Sequence, residues 1–406
     1  MTRLLRDVVS RGLVASFVAV VGCGTEHVHL LDPPDSGGSA GAGGTDASDS
    51  STGPPDLRVL RDAACSKWTA EGAPDPALLM LVVDVSGSMT FADPTSNGMV
   101  SKWGVERPIL SSTLDGFPSS LGVGVLYYPN KSTPPSTQTR PVSACINTDA
   151  MIPVEYLGMR GSRQRYTIQQ SLASTEPNTQ EGTPTLDAYL VALEQLGSTT
   201  LGGSRQILLI TDGQPTFAEN CVGTGTPDVP VDETPIIDAI SAAKRAGIST
   251  FVIGSPGSEQ GAITGEDARP WLSRAAEAGG TARPGCSNSG PRYCHFDMVE
   301  EPNFGAGLTA ALDEIGGSLI RCDMPLPTPP SGERLDPNQV NVVLTSGDGH
   351  ETLVERDDSA GCTDGDGWQY SSDHSRITLC TNTCASVRAD SGAKIEVLVG
   401  CASVTR

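Results

Sequence analysis

Three oxygen-bearing side chains follow the most apolar run of the chain at intervals of two residues. The run Leu78–Val83 has no polar break, and Asp84, Ser86 and Ser88 come after it. An unbroken apolar run is typical of a strand that is buried on both faces. One carboxylate and two hydroxyls in the turn after the strand can point to one spot, and hard divalent cations such as Mg²⁺ prefer such oxygens. The pattern predicts a magnesium site, and the alternative is a Ser/Gly-rich turn after a core strand.

Two later segments supply further oxygens. The apolar run Ile207–Ile210 ends in a Thr-Asp-Gly sequence, so a second strand delivers the carboxylate of Asp212. Between the two strands, the segment Glu181–Ala188 carries Thr183, with Thr185 as the alternative if the loop is offset, and precedes a helical pattern. In residue types and order, the three segments resemble the metal-ion-dependent adhesion site (MIDAS) of von Willebrand factor type A domains.

The resemblance implies different roles for five residues. Ser86, Ser88 and Thr183 would coordinate the ion directly, while Asp84 and Asp212 would act mainly through water. Few direct negative ligands would leave the cation electrophilic, with an open coordination position. The resemblance therefore implies that Mg²⁺, or Mn²⁺ or Ca²⁺ in its place, binds a protein partner through an acidic side chain of that partner.

Strand and helix patterns alternate through residues 65–322. Gly122–Tyr128 and Ser249–Gly254 are strand-like, and amphipathic helix patterns lie between the strands. Such alternation predicts an α/β fold with a mostly parallel sheet covered on both faces, and the resemblance implies the same doubly wound, Rossmann-like arrangement. Ligands bind such sheets at the C-terminal ends of the strands. Asp84 and Asp212 both lie at that edge, so the fold and the motifs predict the same site.

Charge and cysteine usage limit the environment of the protein. The 406 residues include 48 acidic and 27 basic ones, for a formal net charge of −21. Such an acidic surface repels phosphate backbones, so we do not expect nucleic-acid binding. The eleven cysteines lack the spacing of zinc ligands. Disulfides in an oxidising compartment are the better interpretation.

The N-terminal residues have the pattern of a lipoprotein signal peptide. Arginines precede the apolar run Leu13–Val21, which is far shorter than the ~20 residues that span a bilayer. The sequence Val20–Cys23 resembles the bacterial lipoprotein cleavage box, which predicts removal of residues 1–22 and lipidation of Cys23. The alternative is a plain signal peptide with a chance cysteine. Because glycine rather than aspartate follows the cysteine, we expect attachment to the outer membrane, facing the periplasm or the exterior.

Composition divides the remaining chain into four parts. Residues 23–62 are rich in Gly, Ser and Pro and predict a disordered tether. Residues 63–323 form the predicted A-type domain, and residues 324–332 a proline-rich linker. Residues 333–406 have short strand patterns and four cysteines, which predict a small β-rich domain or an extension packed on the large one. The Asp-Gly repeat at residues 363–368 predicts a turn rather than a calcium loop.

Ten cysteines remain if Cys23 carries lipid, an even number whose pairing cannot be fixed from sequence. The two ends of A-type domains lie close together. The resemblance therefore implies a bond between Cys65, before the first strand, and Cys322, after the last helix of the large domain. Such a bond would close the domain.

Position predicts the other pairs. Cys286 and Cys294 bracket a short loop and predict a local bond. Cys145 and Cys221 are then left over in the large domain, and their bond would fix a loop near the metal site. Two further bonds are predicted within the last portion, which contains Cys362, Cys380, Cys384 and Cys401.

An enzyme is the rival class of protein. Ser86 does not lie in the Gly-x-Ser-x-Gly sequence of a nucleophile elbow, and His295 is the only histidine of the large domain. The chain also has no Gly-x-x-x-x-Gly-Lys phosphate loop. We therefore expect a membrane-tethered adhesion or binding protein of the cell envelope and no enzyme. The alternatives are a structural or assembly scaffold of the envelope and a metal-assisted hydrolase.

Overall fold

The computed structural model describes most of the chain after residue 56. The described residues are 57–61, 68–72, 76–131, 136–178, 182–224, 229–260, 266–319, 322–326, 328, 334–359, 362, 365–390 and 393–405. The predicted signal peptide, Cys23, most of the predicted tether and Cys65 lie outside them. No helix within these ranges is both long and apolar enough to cross a membrane.

The described residues form helices and strands that alternate through the large domain. The helices are α1 Leu57–Arg61, α2 Lys102–Gly116, α3 Arg163–Ser174, α4 Thr185–Ser198, α5 Thr234–Arg245, α6 Arg269–Gly279, α7 Phe304–Leu319 and α8 Thr381–Ala389. The strands are β1 Trp68–Gly72, β2 Ala77–Asp84, β3 Gly122–Tyr128, β4 Ile152–Tyr156, β5 Ser204–Thr211, β6 Phe217–Ala218, β7 Val222–Gly223, β8 Ile248–Gly254, β9 Phe296–Asp297, β10 Asp323–Pro325, β11 Val340–Thr345, β12 Glu351–Val354, β13 Trp368–Tyr370, β14 Arg376–Leu379 and β15 Lys394–Val399.

A six-stranded sheet with the order β4-β3-β2-β5-β8-β9 lies at the centre of the large domain. Its strands pair in parallel except for β4, which runs antiparallel to β3. The central strand β2 pairs with β5 up to Val83 and Ile210. The α/β class with a mostly parallel sheet is thus confirmed. The register also brings the C-terminal ends of β2 and β5 side by side.

Side chains of β2 alternate between the two faces of this sheet, and each face is covered by helices. Leu79 and Leu81 pack with side chains of α2, α3 and α7 on one face. Leu78 and Met80 pack with side chains of α4, α5 and α6 on the other face. All eight residues of β2 are buried, and each buried aliphatic side chain contributes about 1.5–3 kcal/mol to folding. The strand that leads into the predicted metal site is therefore rigidly held.

Two antiparallel sheets form the small C-terminal portion, with the orders β1-β15-β11-β12 and β10-β14-β13. Strand β1 precedes the large domain in sequence but pairs with β15, Trp68 facing Val399. The sequence assigned β1 to the large domain, whereas the pairing places it in the small one. Helix α1 lies within the predicted tether, and its Leu60 packs against Val343 and Leu398. Strand β10 extends into the predicted proline linker.

Four disulfides join described cysteines. Cys145 is bonded to Cys221 and Cys286 to Cys294, the two pairs expected in the large domain. The remaining two bonds are Cys322–Cys384 and Cys362–Cys380. The expectation of two bonds within the last portion is therefore wrong, because Cys384 is bonded to Cys322 and Cys362–Cys380 alone joins two of its four cysteines. Several disulfides are typical of a protein outside the cytoplasm.

The expected bond between Cys65 and Cys322 is wrong, because Cys322 is bonded to Cys384 of α8. The end of α7 is thus fixed to the small portion rather than to the start of the large domain. Cys401 is also disulfide-bonded, and its partner lies outside the described residues. In the sequence Cys65 comes three residues before Trp68, and Cys401 two residues after Val399. Because Trp68 and Val399 pair across β1 and β15, we expect Cys65 and Cys401 to be joined.

Candidate metal centre

Asp84 lies at the C-terminal end of β2, where the sheet holds both of its carboxylate oxygens. Its side chain is fully buried. Oδ1 accepts a hydrogen bond from the Ser86 backbone N–H at 2.8 Å, and Oδ2 accepts one from the Thr211 hydroxyl at 2.6 Å. Thr211 is the last residue of β5, so strand pairing itself brings its hydroxyl to Asp84. The carboxylate is oriented by the backbone rather than by long flexible side chains.

The two serines connect the end of β2 to Asp212, which directly follows β5. The Ser86 and Ser88 hydroxyl oxygens are 3.0 Å apart, and the Ser88 hydroxyl donates to Asp212 Oδ1 at 2.8 Å. Ser86 and Asp212 are buried, and Ser88 is half-buried. The sequence proposed these residues from two segments far apart in the chain. The structure brings Asp84, Ser86, Ser88 and Asp212 together at one edge of the sheet.

Thr183 is hydrogen-bonded to the segment that follows Asp212. Its backbone N–H donates to the Thr216 hydroxyl at 2.6 Å, and the Thr216 N–H donates to the Thr183 carbonyl at 3.1 Å. Both threonines are buried. The alternative residue, Thr185, begins α4, and its buried hydroxyl has no hydrogen-bond partner among the described residues. Two hydrogen bonds therefore link the threonine loop to the chain four residues after Asp212.

Two charged residues that sequence reasoning missed complete the site. Helix α2 begins after Ser101, whose side chain caps it by accepting from Gly104 N–H at 3.0 Å. The next residue, Lys102, forms a buried ion pair with Asp212 Oδ2. Glu106, one turn later, is fully buried and accepts from the Ser255 hydroxyl at 3.2 Å.

A sequence signal for these two residues exists. Lys102 and Glu106 are spaced by four, and Leu110 and Leu114 continue the same stripe of α2 into the core. Charged residues at positions of a helix stripe that is otherwise apolar point inward with it. A buried Lys–Glu pair one turn apart needs compensating charges or hydrogen bonds nearby. The stripe therefore indicates an electrostatic role for Lys102 and Glu106, which the metal-binding motif does not include.

Burial and mutual repulsion shape the electrostatics of the site. Burial, and then the neighbouring Asp212 carboxylate, raise the pKa of Asp84 to about 7. Burial, and then the charge of Asp84, raise the pKa of Glu106 to about 8. Its second oxygen, Oε1, has no hydrogen-bond partner among the described residues. Asp84, Glu106 and Asp212 are thus three buried carboxyl groups that interact electrostatically, and among the described residues Lys102 forms an ion pair with Asp212. A divalent cation would reduce the repulsion between these carboxyl groups.

The donor set fits a hard divalent cation. Carboxylate and hydroxyl oxygens converge, and the closest pairs are already within 3.0 Å of each other. Mg²⁺ binds in such sites through few carboxylates and retains several waters. A second cluster, Cys145, Asp187 and Cys221, also has metal-ligand spacing. Its two cysteines form a disulfide, so this cluster has one available ligand and does not fit a metal.

No protein-family model matches the chain, and no curated protein matches it in sequence. Solved structures are similar to it. The pilus adhesin SpaC of Lactobacillus rhamnosus GG, in an open conformation, is 15% identical, with a TM-score of 0.42 over 80% of this chain and 39% of the adhesin. The conserved hypothetical protein BatB of Bacteroides thetaiotaomicron is 17% identical, with a TM-score of 0.36 over 59% of this chain and 97% of BatB.

Proximal thread matrix protein 1 of the mussel byssus, with a zinc-occupied MIDAS motif, is 12% identical to the chain. Its TM-score is 0.37, over 63% of this chain and 50% of the mussel protein. The chain spans 39% of the pilus adhesin and half of the mussel protein. TM-scores below 0.5 at such low identity transfer no function, so a function has to be argued from the residues of the site.

Proposed function

We propose that the protein binds a protein partner through a divalent cation held at the sheet edge. Ser86, Ser88 and Thr183 would contact the cation, and Asp84 and Asp212 would lie behind it. The observation that carries this proposal is the unbroken set of contacts from Ser86 through Ser88 to Asp212. These contacts join two segments that are far apart in the chain, and they involve only side-chain oxygen atoms. The buried Asp84 carboxylate lies at the end of β2. The cation we propose is Mg²⁺, with Mn²⁺ or Ca²⁺ as replacements.

The site's own residues determine what such a cation could do. The Thr211 and Ser86 hydrogen bonds fix Asp84 without using long side chains, so Asp84 itself needs little reorganisation on binding. Hydroxyl ligands add no negative charge, and the cation keeps a strong attraction for an incoming carboxylate. An acidic side chain of a partner would then complete the coordination shell.

Exposed apolar side chains lie on the loop between the Asp-x-Ser-x-Ser turn and α2. Phe91 is 54% exposed, Met99 85% and Val100 42%. The Phe91 ring lies 5.9 Å from the Lys102 ammonium, which itself contacts Asp212. Aromatic and methionine side chains are enriched in protein interfaces relative to the rest of the surface. They support a protein partner rather than a free small acid.

A serine-hydrolase function has less support. The only histidine of the large domain, His295, is buried and its Nδ1 lies 3.1 Å from the Ser273 hydroxyl. Burial lowers the pKa of His295 to about 3. His295 is thus engaged within the core beside α6 rather than paired with Ser86, and a serine hydrolase needs a base within hydrogen-bond reach of its nucleophile.

Calorimetric titration with Mg²⁺ tests the metal site. We expect wild-type protein to bind one Mg²⁺ per chain and Ser88→Ala to bind it at least tenfold more weakly, because the variant loses a ligand and the contact to Asp212. Ser112→Ala is the matched control, since this exposed serine donates only to a carbonyl of its own helix. Equal affinity of wild type and Ser88→Ala would place the metal site elsewhere.

The partner is tested with envelope extract. Immobilised protein should retain a partner in Mg²⁺ and release it in a chelator, and the Ser88→Ala variant should retain none. Retention that changes neither with the chelator nor with the Ser88→Ala substitution would favour the alternative function. That alternative is a structural or assembly scaffold of the envelope that does not use the cation.

We also propose that Cys23 carries lipid and that residues after it tether the domain to the outer membrane. This part of the proposal rests on the Val20–Cys23 sequence and on the disulfides, which are typical of proteins outside the cytoplasm. Cys23→Ser should move the protein from the membrane fraction to the soluble fraction or leave it unprocessed. Unchanged membrane attachment with no lipid on the mature N-terminus would contradict it.

A further inference from the structure

The ammonium group of Lys102 forms an ion pair with a carboxylate oxygen of the proposed metal site. Asp212 Oδ2 pairs with Lys102 Nζ, while its Oδ1 accepts from the Ser88 hydroxyl. Both oxygens of this carboxylate are therefore engaged. Both partners of the ion pair are buried, so little solvent screens the charges.

The surrounding backbone accommodates this lysine closely. Residue 257 is a glycine with φ of +103°, and a Cβ atom there would lie 2.7 Å from Lys102 Nζ. The ammonium group thus lies against the Gly257 backbone in the turn after β8. The Ser101 cap fixes the start of α2, and the Phe91 ring lies 5.9 Å from the ammonium. Helix start, turn and aromatic ring all hold Lys102 close to Asp212.

Charge balance gives this position a purpose. Without a divalent ion, the buried Asp212 carboxylate has Lys102 as its ion-pair partner among the described residues. Leaving a buried charge unpaired is strongly destabilising. When a divalent ion binds, the same ammonium group becomes a like charge beside it, in a poorly screened environment. Lys102 therefore stabilises the metal-free state and destabilises the metal-bound state.

We propose that Lys102 is a built-in counter-cation that competes with the divalent ion for Asp212 and so sets the metal affinity of the site. This inference rests on the proposed metal site. Metal binding requires the ammonium to release Asp212 Oδ2 or to share it, and the cost of this step weakens binding. In the absence of a metal ion, Lys102 stabilises the folded domain by pairing with Asp212.

The first test is calorimetric titration of the full chain with Mg²⁺. Lys102→Met retains the aliphatic stem and removes the charge, and we expect it to bind Mg²⁺ at least tenfold more tightly than wild type. Lys244→Met is the matched control, because Lys244 is exposed and donates to the Ser249 hydroxyl far from the site. Its Mg²⁺ affinity should equal that of wild type. Equal or weaker binding by Lys102→Met overturns the inference.

The second test needs no metal. In a chelator, urea unfolding of Lys102→Met, Asp212→Asn and the double variant forms a double-mutant cycle. We expect the two changes to be coupled by tenfold or more in the unfolding equilibrium constant, because each single change leaves a buried group without its partner. Independent effects would overturn the ion pair as the basis of the inference.

The two tests separate failure of the inference from failure of the proposed function. If wild type binds Mg²⁺ and Lys102→Met binds it no better, the metal site stands and the competition is refuted. If no variant and no wild-type protein binds Mg²⁺, the proposed function fails, and the inference falls with it. Should Lys102→Met not fold in the chelator, Lys102→Gln, which can donate to Asp212 without a charge, carries the same expectation.

Discussion

Replacing Asp84 by asparagine should stabilise the protein when no metal is bound. Asp84 accepts from the Ser86 N–H and from the Thr211 hydroxyl. An asparagine oxygen can accept the first bond, and its amide can donate to Thr211, because a hydroxyl serves as donor or acceptor. Asp84→Asn therefore removes the charge and keeps the shape and both hydrogen bonds. Alanine would instead leave a void and an unpaired buried hydroxyl.

The expected gain follows from the pKa of Asp84. Burial and the Asp212 carboxylate raise this pKa from 3.8 to about 7. Because one pKa unit corresponds to about 1.4 kcal/mol, ionising Asp84 in the folded protein costs about 4 kcal/mol. The folded-state pKa is the higher one, so the contribution of Asp84 to wild-type stability is most favourable below pH 4 and becomes less favourable as the pH rises to 7. The variant should be more stable by about 2 kcal/mol at pH 5 and about 4 kcal/mol above pH 7.

Urea unfolding in a chelator, followed by tryptophan fluorescence from pH 5 to 8.5, measures this difference. The pKa of Glu106 is also raised, first by burial and then by the charge of Asp84. Wild type and variant share the effect of burial, whereas the variant loses the repulsion by Asp84, which adds to its gain once Glu106 ionises. The exposed Asp238→Asn should unfold like wild type at every pH. With excess Mg²⁺ the wild type should recover the lost stability and the variant should not. A variant that is less stable than wild type at pH 8, or a difference that ignores pH, would refute the reasoning.

The remaining predictions concern the scaffold. The double substitution Cys145→Ala and Cys221→Ala should lower the free energy of unfolding by about 2–4 kcal/mol and weaken Mg²⁺ binding, because the bond secures the loop after the β5 carboxylate; urea unfolding and calorimetry measure both, and unchanged values would count against it. Gly279→Ala should cost about 2–3 kcal/mol, since its Cβ would overlap a carbonyl oxygen of β8; an unfolding midpoint equal to that of wild type would contradict this. Peptide mapping without reduction should recover Cys65 linked to Cys401, and either one found free would refute the pair.

The predicted site residues come from local patterns, which is why the sequence could find them. An apolar run that ends in polar residues identifies a buried strand and its C-terminal turn in a single segment. Asp84 and Asp212 each follow such a run, and a parallel sheet brings those ends to one edge. The stripe of α2 indicates that Lys102 points inward, but the carboxylate that it meets depends on the direction of α2 relative to that edge, which no local pattern states.

The strand and disulfide partners of the small domain depend on contacts between residues that are even further apart in the sequence. Strand β1 precedes the large domain, so the sequence grouped it with its neighbours, yet its hydrogen-bond partner is the last strand of the structure. We expected Cys322 to bond to Cys65 because the two ends of A-type domains lie close together. Cys322 instead directly precedes β10, which pairs with β14 of the small portion, and it is bonded to Cys384 there. Chain proximity predicts secondary structure well and predicts the partners of domain ends poorly.

The pairing of β1 with β15 has a consequence for the order in which the chain folds as it emerges during synthesis or export. Strand β1 appears early but cannot pair until the last residues have arrived, whereas the large domain between them has a complete core of its own. We expect the large domain to fold first, which replaces a long flexible loop by a compact body with its two ends held. The entropy lost on joining β1 to β15 is then that of short connections. Until that moment β1 is an unpaired edge, and the newly made chain is most prone to aggregate there.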